Sequence, residues 1–183
     1  MKNIGLINKE TTALVVIDIQ DKLMPVMQQA ELIFANANRL LKGASILQIP
    51  SYITEQYPAG LGNTCTAIEM PSDITLVEKI AFSCMQSQQL LESWKKNNIN
   101  TLILCGVESH ICVLKTALDA LAAGFDVHVV ADAVSSRTAE NKNLALERMR
   151  QSGAFIVSTE MLLFQLIQEA GTPAFKAISK LIK

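Results

Sequence analysis

The sequence predicts a three-layer α/β domain built on a six-stranded, mostly parallel sheet, and three observations support that prediction. Short apolar runs alternate with segments of helical periodicity along the whole chain. The strand-like runs, such as residues 13–17, do not alternate polar and apolar residues, which is typical of strands buried on both faces of a parallel sheet. No repeat, low-complexity segment or linker-like change of composition divides residues 1–183, so we expect a single domain.

The first half of the predicted domain contains three strands and two helices. Asp18 terminates the apolar run at 13–17, and residues 31–48 place apolar side chains at helical spacing. Residues 56–72 hold two prolines and two glycines with few periodic apolar positions, which predicts a long and therefore functional loop. The predicted elements are a strand at 13–17, a helix at 31–48, strands at 49–55 and 73–80, and a helix at 86–97.

The second half of the predicted domain begins with residues 101–112, which have the sequence TLILCGVESHIC. The apolar first part predicts a buried strand, and the turn-forming residues after it lead into a helical pattern at 113–123. Cys112 would then lie in the first helical turn, where unpaired N–H groups and the helix dipole favour thiolate over thiol. The remaining predicted elements are strands at 126–134 and 154–158, a helix that residues 135–138 open and that extends through 151, a helix at 160–169, and a terminal helix that Thr172 caps and Pro173 begins.

The composition argues against several classes of protein, among them nucleic-acid-binding, membrane-spanning and secreted proteins. The net charge is −1 and the basic residues are scattered, which argues against a nucleic-acid partner. No apolar run reaches the roughly 18 residues of a membrane span, and the N-terminal segment lacks the pattern of a secretory signal. We therefore expect a soluble cytoplasmic protein. Its four cysteines have no CxxC spacing, which indicates free thiols rather than a zinc ribbon or a thioredoxin-type pair.

Three reactive side chains fall at predicted strand ends. Asp18 closes the first strand, Lys79 lies at the end of the third, and Cys112 follows the fourth. Parallel strands end at one edge of their sheet, where ligands of α/β proteins bind, so the three groups are expected together. Cys112 would attack a carbonyl, Asp18 would take the thiol proton and later activate water, and Lys79 would stabilise the thiolate. The structural alternatives are a helix cap, a solvated lysine and a packed core cysteine.

The chain resembles the isochorismatase-like cysteine hydrolase superfamily in three motifs that occur in the family's order. They are ALVVIDIQ with Asp18, EKIAFSC with Lys79, and GVESHICV with Cys112. Three further segments are similar to the group called isochorismatase domain-containing proteins, namely TEQYPAGLG, SSRTAENKNLALERMRQSGA and FKAISKLIK. The resemblance covers nearly the whole chain. It implies a catalytic triad of these Asp, Lys and Cys residues and the strand order 3-2-1-4-5-6, which sets Asp18 beside Cys112.

The same resemblance implies a cis peptide between Val107 and Glu108 and an oxyanion hole formed by the backbone amides of Ile111 and Cys112. One departure from the family is informative. Nicotinamidases of this superfamily hold a metal with histidines after the second strand, where this chain reads YITEQYPAGLGNTCTAIEM without a histidine. Isochorismatases proper generally lack the nucleophilic cysteine that is retained here as Cys112. We therefore predict a cysteine site with no metal and no cofactor.

Other side chains near these motifs are weaker candidates. Those expected to contact substrate because they adjoin the triad are Gln20, Phe82 and Ser83. His110 precedes Cys112 by two residues, an offset that points to a different helix face, so substrate contact and a cap or surface role both stay open. For the others we expect core packing for Cys84 and Cys105, a structural role for His128 and exposure in the loop for Cys65.

Together these features predict a metal-independent cysteine hydrolase that acts on a small amide or related carbonyl compound. A small-molecule substrate is the expected partner, with neither nucleic acid nor membrane. The apolar C-terminal segments and the resemblance favour a homo-oligomer. The alternative is a protein that keeps the fold but works through interactions, with a weak or vestigial site. The sequence does not identify the substrate.

Overall fold

A computed structural model describes residues 3–183 and contains a six-stranded sheet in which every neighbouring pair is parallel. The strands are β1 (Thr12–Ile17), β2 (Ser51–Gln56), β3 (Thr75–Lys79), β4 (Thr101–Val107), β5 (Asp126–Ser135) and β6 (Phe155–Val157). Their order across the sheet is β3-β2-β1-β4-β5-β6. The predicted fold class and strand order are therefore confirmed, and β1 and β4 lie side by side at the centre.

Helices cover both faces of this sheet. They are α1 (Ala30–Leu47), α2 (Pro58–Leu61), α3 (Gln88–Lys96), α4 (Leu114–Ala122), α5 (Ala139–Gln151), α6 (Thr159–Leu166) and α7 (Pro173–Ile182). Successive β1 residues point to opposite faces, so Leu14 joins the core under α1, α6 and α7 while Val15 joins the core under α3, α4 and α5. All six β1 residues are buried, which explains their continuous apolar pattern.

Local chemistry accounts for several boundaries. Thr172 caps α7 by accepting a hydrogen bond from the Phe175 N–H at 3.1 Å, and Pro173 occupies the first turn, as predicted. Thr138 caps α5 in the same way through the Asn141 N–H. The helix predicted to end at 169 ends instead at Leu166, because Ile167 has extended backbone angles.

Two segments differ more clearly from the sequence prediction. The loop predicted at 56–72 contains α2, which begins at Pro58, and a single antiparallel bridge that pairs Gln20 with Thr64. Pro suits the first helical position because the missing N–H would have no partner there. The helix predicted at 113–123 begins earlier, with a π-helical turn at Ser109–Val113 that leads into α4. Such turns have no periodicity that a sequence pattern reveals, and they are frequent at functional sites.

Candidate active site

Asp18 follows β1 directly and lies at the carboxyl edge of the sheet, with no exposed surface. Its backbone has φ of 52°, an uncommon value for a residue with a side chain, and such outliers concentrate at functional sites. One carboxylate oxygen accepts a hydrogen bond from Thr54 Oγ1 at 2.6 Å, and the other accepts one from Lys79 Nζ at 2.6 Å. Asp18 is therefore fixed from the side of β2 and β3.

Lys79 is the last residue of β3 and reaches Asp18 across β2. Besides the ion pair, its ammonium group donates to the carbonyl oxygens of Ala81 at 3.3 Å and Phe82 at 3.2 Å. The three N–H donors of the group are thus all used. Because the side chain is buried, Lys79 is not the solvated surface lysine that was the structural alternative.

Cys112 is buried in the π-helical turn, close enough to the Asp18 carboxylate for the two groups to influence each other's pKa. Burial raises the pKa of Cys112 well above the usual range for a thiol, and the negative charge of Asp18 adds to the increase, while Lys79 opposes it. The expectation that the helix start favours the thiolate is therefore wrong for this resting geometry. The reasons are that Cys112 is buried and that the charge of Asp18 disfavours a second negative charge on the sulfur.

Asp18 also has a raised pKa, because burial disfavours its charge more than Lys79 and the neighbouring hydrogen bonds favour it. A carboxylate that binds a proton more readily is a better base toward a thiol in contact with it. A proton can therefore move from the Cys112 sulfur to the Asp18 carboxylate. The total charge of Asp18, Lys79 and Cys112 stays the same.

Gly106 permits the close approach of β4 to β1 just before the reactive residues. It pairs with Ile17 and has φ of 110°, and a Cβ atom on it would lie 2.0 Å from the Ile17 carbonyl oxygen. Only glycine fits such a position. The second peptide bond after Gly106, between Val107 and Glu108, is cis, at the position that the family resemblance implied.

One of the two predicted oxyanion donors, the Ile111 N–H, already has a partner within the protein. The Ile111 N–H donates to the Glu108 carbonyl oxygen at 3.0 Å, and the Val113 N–H donates to the same oxygen at 3.2 Å. Ile111 could therefore serve an oxyanion only as a shared donor. Cys112 remains the other predicted donor of the pair.

The predicted substrate contacts separate into two groups. Gln20 is fully buried, and its side-chain amide bonds to Gln56 O at 3.1 Å, Gly62 O at 2.6 Å and Gln56 N at 2.7 Å. It holds the loop after β2 in place, and its contact with substrate stays a prediction. Ser83 is also buried and caps a 3₁₀ turn by accepting from Met85 N at 3.2 Å. Its interactions are likewise within the protein.

Phe82 and His110 keep surface at this edge of the sheet. Phe82 is 55% exposed, next to the carbonyl that Lys79 contacts. His110 is half-buried, and its Nδ1 lies 3.0 Å from Ser136 Oγ. This contact ties His110 to the segment after β5, and its contact with substrate stays a prediction.

Sequence reasoning missed two residues of this region. Thr54 holds Asp18 from β2, and no sequence pattern marked it. Tyr57 follows β2, has φ of 43° and is 51% exposed, and its N–H donates to the Lys79 carbonyl oxygen at 2.8 Å. The strand-end rule that found the other three residues would have found Tyr57 if applied to the second strand.

The remaining cysteines are buried, including Cys65, which was expected to be exposed. Its environment raises its pKa to about 11 through burial and the neighbouring Asp21 carboxylate. Cys84 packs in the core beside Asp18 and Lys79, and burial raises its pKa to about 11. Burial raises the pKa of Cys105 still further. These thiols are protonated at neutral pH and provide internal references for Cys112.

His128 is buried in β5 and stacks on Phe155 with ring centroids 5.0 Å apart. Burial lowers its pKa to about 4, which agrees with its expected structural role. Within residues 3–183, no three His, Cys, Asp or Glu side chains are grouped so as to hold a metal ion. Over the same residues, none of the helices combines the length and apolar character needed to cross a bilayer.

The fold defines an α/β protein with a wholly parallel sheet, and Asp18, Lys79 and Cys112 are buried at the carboxyl edge of that sheet. Residues 12–161 match the family model for the isochorismatase domain. Isochorismatase domain-containing protein 2A of Mus musculus is 41% identical over 99% of this chain and 87% of its own length. The secreted isochorismatase effector of Phytophthora sojae is 40% identical over 100% and 89%. The chain therefore belongs to the isochorismatase domain family.

A solved structure extends the comparison to three dimensions. The MAR1 ribonuclease of Caenorhabditis elegans superposes with a TM-score of 0.92 and 36% identity, covering 97% of this chain and 92% of that one. The relatives span nearly the same length as this chain. The fold and the family thus support a hydrolase role.

Proposed function

We propose that the protein is a cysteine hydrolase that cleaves a small amide or related carbonyl compound through a thioester on Cys112. The observation that supports this proposal is that the buried Asp18 carboxylate pairs with the Lys79 ammonium at 2.6 Å and lies close enough to the Cys112 thiol to influence its pKa. Burying the charged groups of Asp18 and Lys79 beside a thiol costs free energy, and packing the core does not require them. Their arrangement matches the needs of acyl transfer.

In the first half of the reaction, Cys112 Sγ attacks the substrate carbonyl carbon as the thiol proton moves to Asp18. Lys79 stays beside the pair, so the ammonium offsets the negative charge whether it resides on oxygen or on sulfur. The tetrahedral oxyanion accepts a hydrogen bond from the Cys112 N–H. The Ile111 N–H is a second donor, which the oxyanion shares with the Glu108 carbonyl oxygen. Removing one such donor typically costs about 10²–10³ in rate.

Collapse of the tetrahedral species breaks the bond to the leaving amine, which takes the proton from Asp18. The ionised Asp18 then removes a proton from water, which attacks the thioester and forms a second tetrahedral species. Its collapse releases a carboxylic acid and returns the proton to the sulfur of Cys112. One water is consumed for each bond cleaved, and no cofactor takes part in these steps.

The test is a hydrolysis screen of carboxylic amides, ureido compounds and esters, read by intact mass after acid quenching. We expect turnover with an acyl adduct on Cys112. Cys112→Ala should abolish the adduct, and Asp18→Asn should reduce its rate of formation by at least about 100-fold. Cys84→Ala, at a neighbouring buried thiol, is the matched control and should still form the adduct.

The screen also addresses two other functions. The similar C. elegans protein is named a ribonuclease, so the substrates screened should include an RNA. A net charge of −1 gives this chain little electrostatic attraction for the phosphates of RNA. Absence of turnover on every class, combined with a specific protein partner, would favour an interaction role with a vestigial site.

We also propose that the chain self-associates in the cytoplasm. Support comes from apolar side chains exposed on and beside the edge strand β3, namely Leu76, Ile80 and Phe82. A sheet edge with exposed apolar residues is a favourable surface for association. Sedimentation at micromolar concentration tests this, and a monomer at all concentrations would contradict it.

A further inference from the structure

The sheet divides the four cysteines into two pairs. Cys84 and Cys112 pack in the core on the side of α3, α4 and α5, whereas Cys65 and Cys105 pack on the side of α1, α6 and α7. The nucleophile Cys112 therefore has a second thiol on its own side of the sheet. The mechanism above does not use that thiol, and the chemistry open to two neighbouring cysteines is the formation of a disulfide bond.

Cys84 is fixed to the helix that follows the nucleophile. Its backbone N–H donates a hydrogen bond to Thr116 Oγ1 at 3.0 Å, and Thr116 lies on α4, four residues after Cys112. Side chains four residues apart on a helix share a face and lie about 5–6 Å from each other. Cys84 is therefore held within about one helical turn of Cys112, close to the Cα separation of about 4.4–6.8 Å that a disulfide spans.

The two thiols share one electrostatic environment. Burial is the main cause of the raised pKa of both Cys84 and Cys112, and the charges of Asp18 and Lys79 act on both thiols as well. Thr54, which donates a hydrogen bond to Asp18, also influences the pKa of Cys84. The base proposed for Cys112 is therefore close enough to act on Cys84.

The two thiols differ in their access to solvent. Cys84 has no exposed surface, whereas Cys112 keeps 4% of its surface exposed. An oxidant in solution therefore meets Cys112 first. A thiol that is oxidised to a sulfenic acid condenses with a neighbouring thiol to give a disulfide, and Cys84 is the neighbour on this side of the sheet.

We propose that Cys84 is a resolving cysteine, which forms a reversible disulfide with Cys112 after a hydroperoxide has oxidised Cys112. This inference rests on the nucleophilic role proposed for Cys112. The Cys112 sulfur attacks one oxygen of the hydroperoxide, the O–O bond breaks, and the other oxygen leaves with the thiol proton as an alcohol, or as water from hydrogen peroxide. The Cys84 sulfur then attacks the Cys112 sulfur, the S–O bond breaks, and hydroxide leaves with the Cys84 proton as water.

The two steps reduce one hydroperoxide by two electrons and oxidise two thiols to one disulfide. The disulfide stops hydrolysis because it blocks the nucleophile. It also protects Cys112 from further oxidation to a sulfinic acid, which thiols do not reverse. Two equivalents of a thiol such as glutathione return Cys84 and Cys112 to the reduced form through a mixed disulfide.

The test exposes the native protein to a small excess of hydrogen peroxide, blocks the remaining thiols with N-ethylmaleimide and maps the peptides without reduction. We expect a cross-link between the peptides of Cys84 and Cys112 and the loss of two free thiols. Cleavage after Glu108 separates Cys105 from Cys112 and so assigns the cross-link. Labelling of Cys112 by iodoacetamide should fall as the cross-link forms, and dithiothreitol should restore at least about nine-tenths of it.

The variant Cys84→Ala should change the product of oxidation. Without a resolving thiol, the same exposure should convert Cys112 to its sulfinic acid, and dithiothreitol should restore less than about one-tenth of the labelling. Cys105→Ala is the matched control, because Cys105 is a buried cysteine on the other side of the sheet. It should form the cross-link and recover as the native protein does.

Sulfinic acid on Cys112 of the native protein without a cross-link to Cys84 would overturn the proposal, and so would four thiols that all stay free. Equal recovery in the native protein and Cys84→Ala would overturn it as well. The map of the native protein needs no variant, so it decides the matter even if Cys84→Ala is unstable. Labelling without peroxide is the separate readout of the proposed function: if Asp18→Asn does not slow it, the proposed function fails, while the cross-link still reports on Cys84.

Discussion

Replacing Gly106 by alanine tests whether the contact between β1 and β4 creates the site. The added Cβ would lie 2.0 Å from the Ile17 carbonyl oxygen and 2.7 Å from the Ile17 nitrogen, both backbone atoms that cannot rotate away. An ordinary contact needs about 3.4 Å, so the strands must separate by more than 1 Å or the chain must leave its φ of 110°. Asp18 follows Ile17 directly, so this separation moves the base away from Cys112.

The cost has two parts. A positive φ costs a residue with a side chain about 1–2 kcal/mol, and overpacking in a well-packed core costs about 1–3 kcal/mol. Gly153→Ala isolates the first part, because Gly153 has φ of 105° and no atom lies within 4 Å of the added Cβ. Urea unfolding should therefore give a loss of about 2–5 kcal/mol for Gly106→Ala and about 1–2 kcal/mol for Gly153→Ala.

Labelling of Cys112 by a neutral electrophile gives the functional side of the same experiment. Gly106→Ala should label more slowly than the native protein, whereas Gly153→Ala, far from the site in sequence and at the end of α5, should label at the native rate. Equal losses of stability in the two variants, with equal labelling rates, would refute the reasoning, because they would mean that the strands accommodate the methyl group without moving Asp18.

Three further predictions concern buried polar groups. Lys79→Met leaves the Asp18 carboxylate without its cation and should cost about 3–5 kcal/mol in urea unfolding at pH 7; native-like stability of this variant would argue against a charged Asp18. Thr54→Val removes a hydrogen bond to that carboxylate and should cost about 1.5–3 kcal/mol, which an unchanged unfolding midpoint would contradict. Since burial lowers the pKa of His128 from 6.5 to about 4, protonation favours the unfolded state, and stability should fall by about 3 kcal/mol as the pH drops from 6.5 to 4. His128→Phe should remove that part of the pH dependence, and an unaltered slope would show that His128 does not contribute it.

The fold was predictable because its strands are marked by continuous apolar runs and its helices by caps and periodicity. The run at 13–17 became β1, and Thr172 with Pro173 began α7 as expected. The loop at 56–72 was less predictable, because α2 is only four residues long. So short a helix has no amphipathic repeat, and its position depends on Gln20, a residue distant in sequence that bonds to Gln56 and Gly62.

For the site, the strand-end rule located Asp18, Lys79 and Cys112, which the fold brings together. Its electrostatics were not predictable from local sequence. The expected helix start at Cys112 proved to be a buried π-helical turn next to a carboxylate, and burial depends on residues from the whole sheet. The role of Thr54 likewise depends on a contact between segments that are distant in sequence.

The central claim is that Asp18 makes Cys112 a nucleophile despite its raised pKa. Peptide mapping after treatment with less than one equivalent of iodoacetamide tests this most directly, with Cys65, Cys84 and Cys105 as internal references. Cys112 should carry nearly all of the label, and Asp18→Asn should slow its labelling at least about 100-fold. Label spread evenly over the four cysteines, with no effect of Asp18→Asn, would contradict the claim.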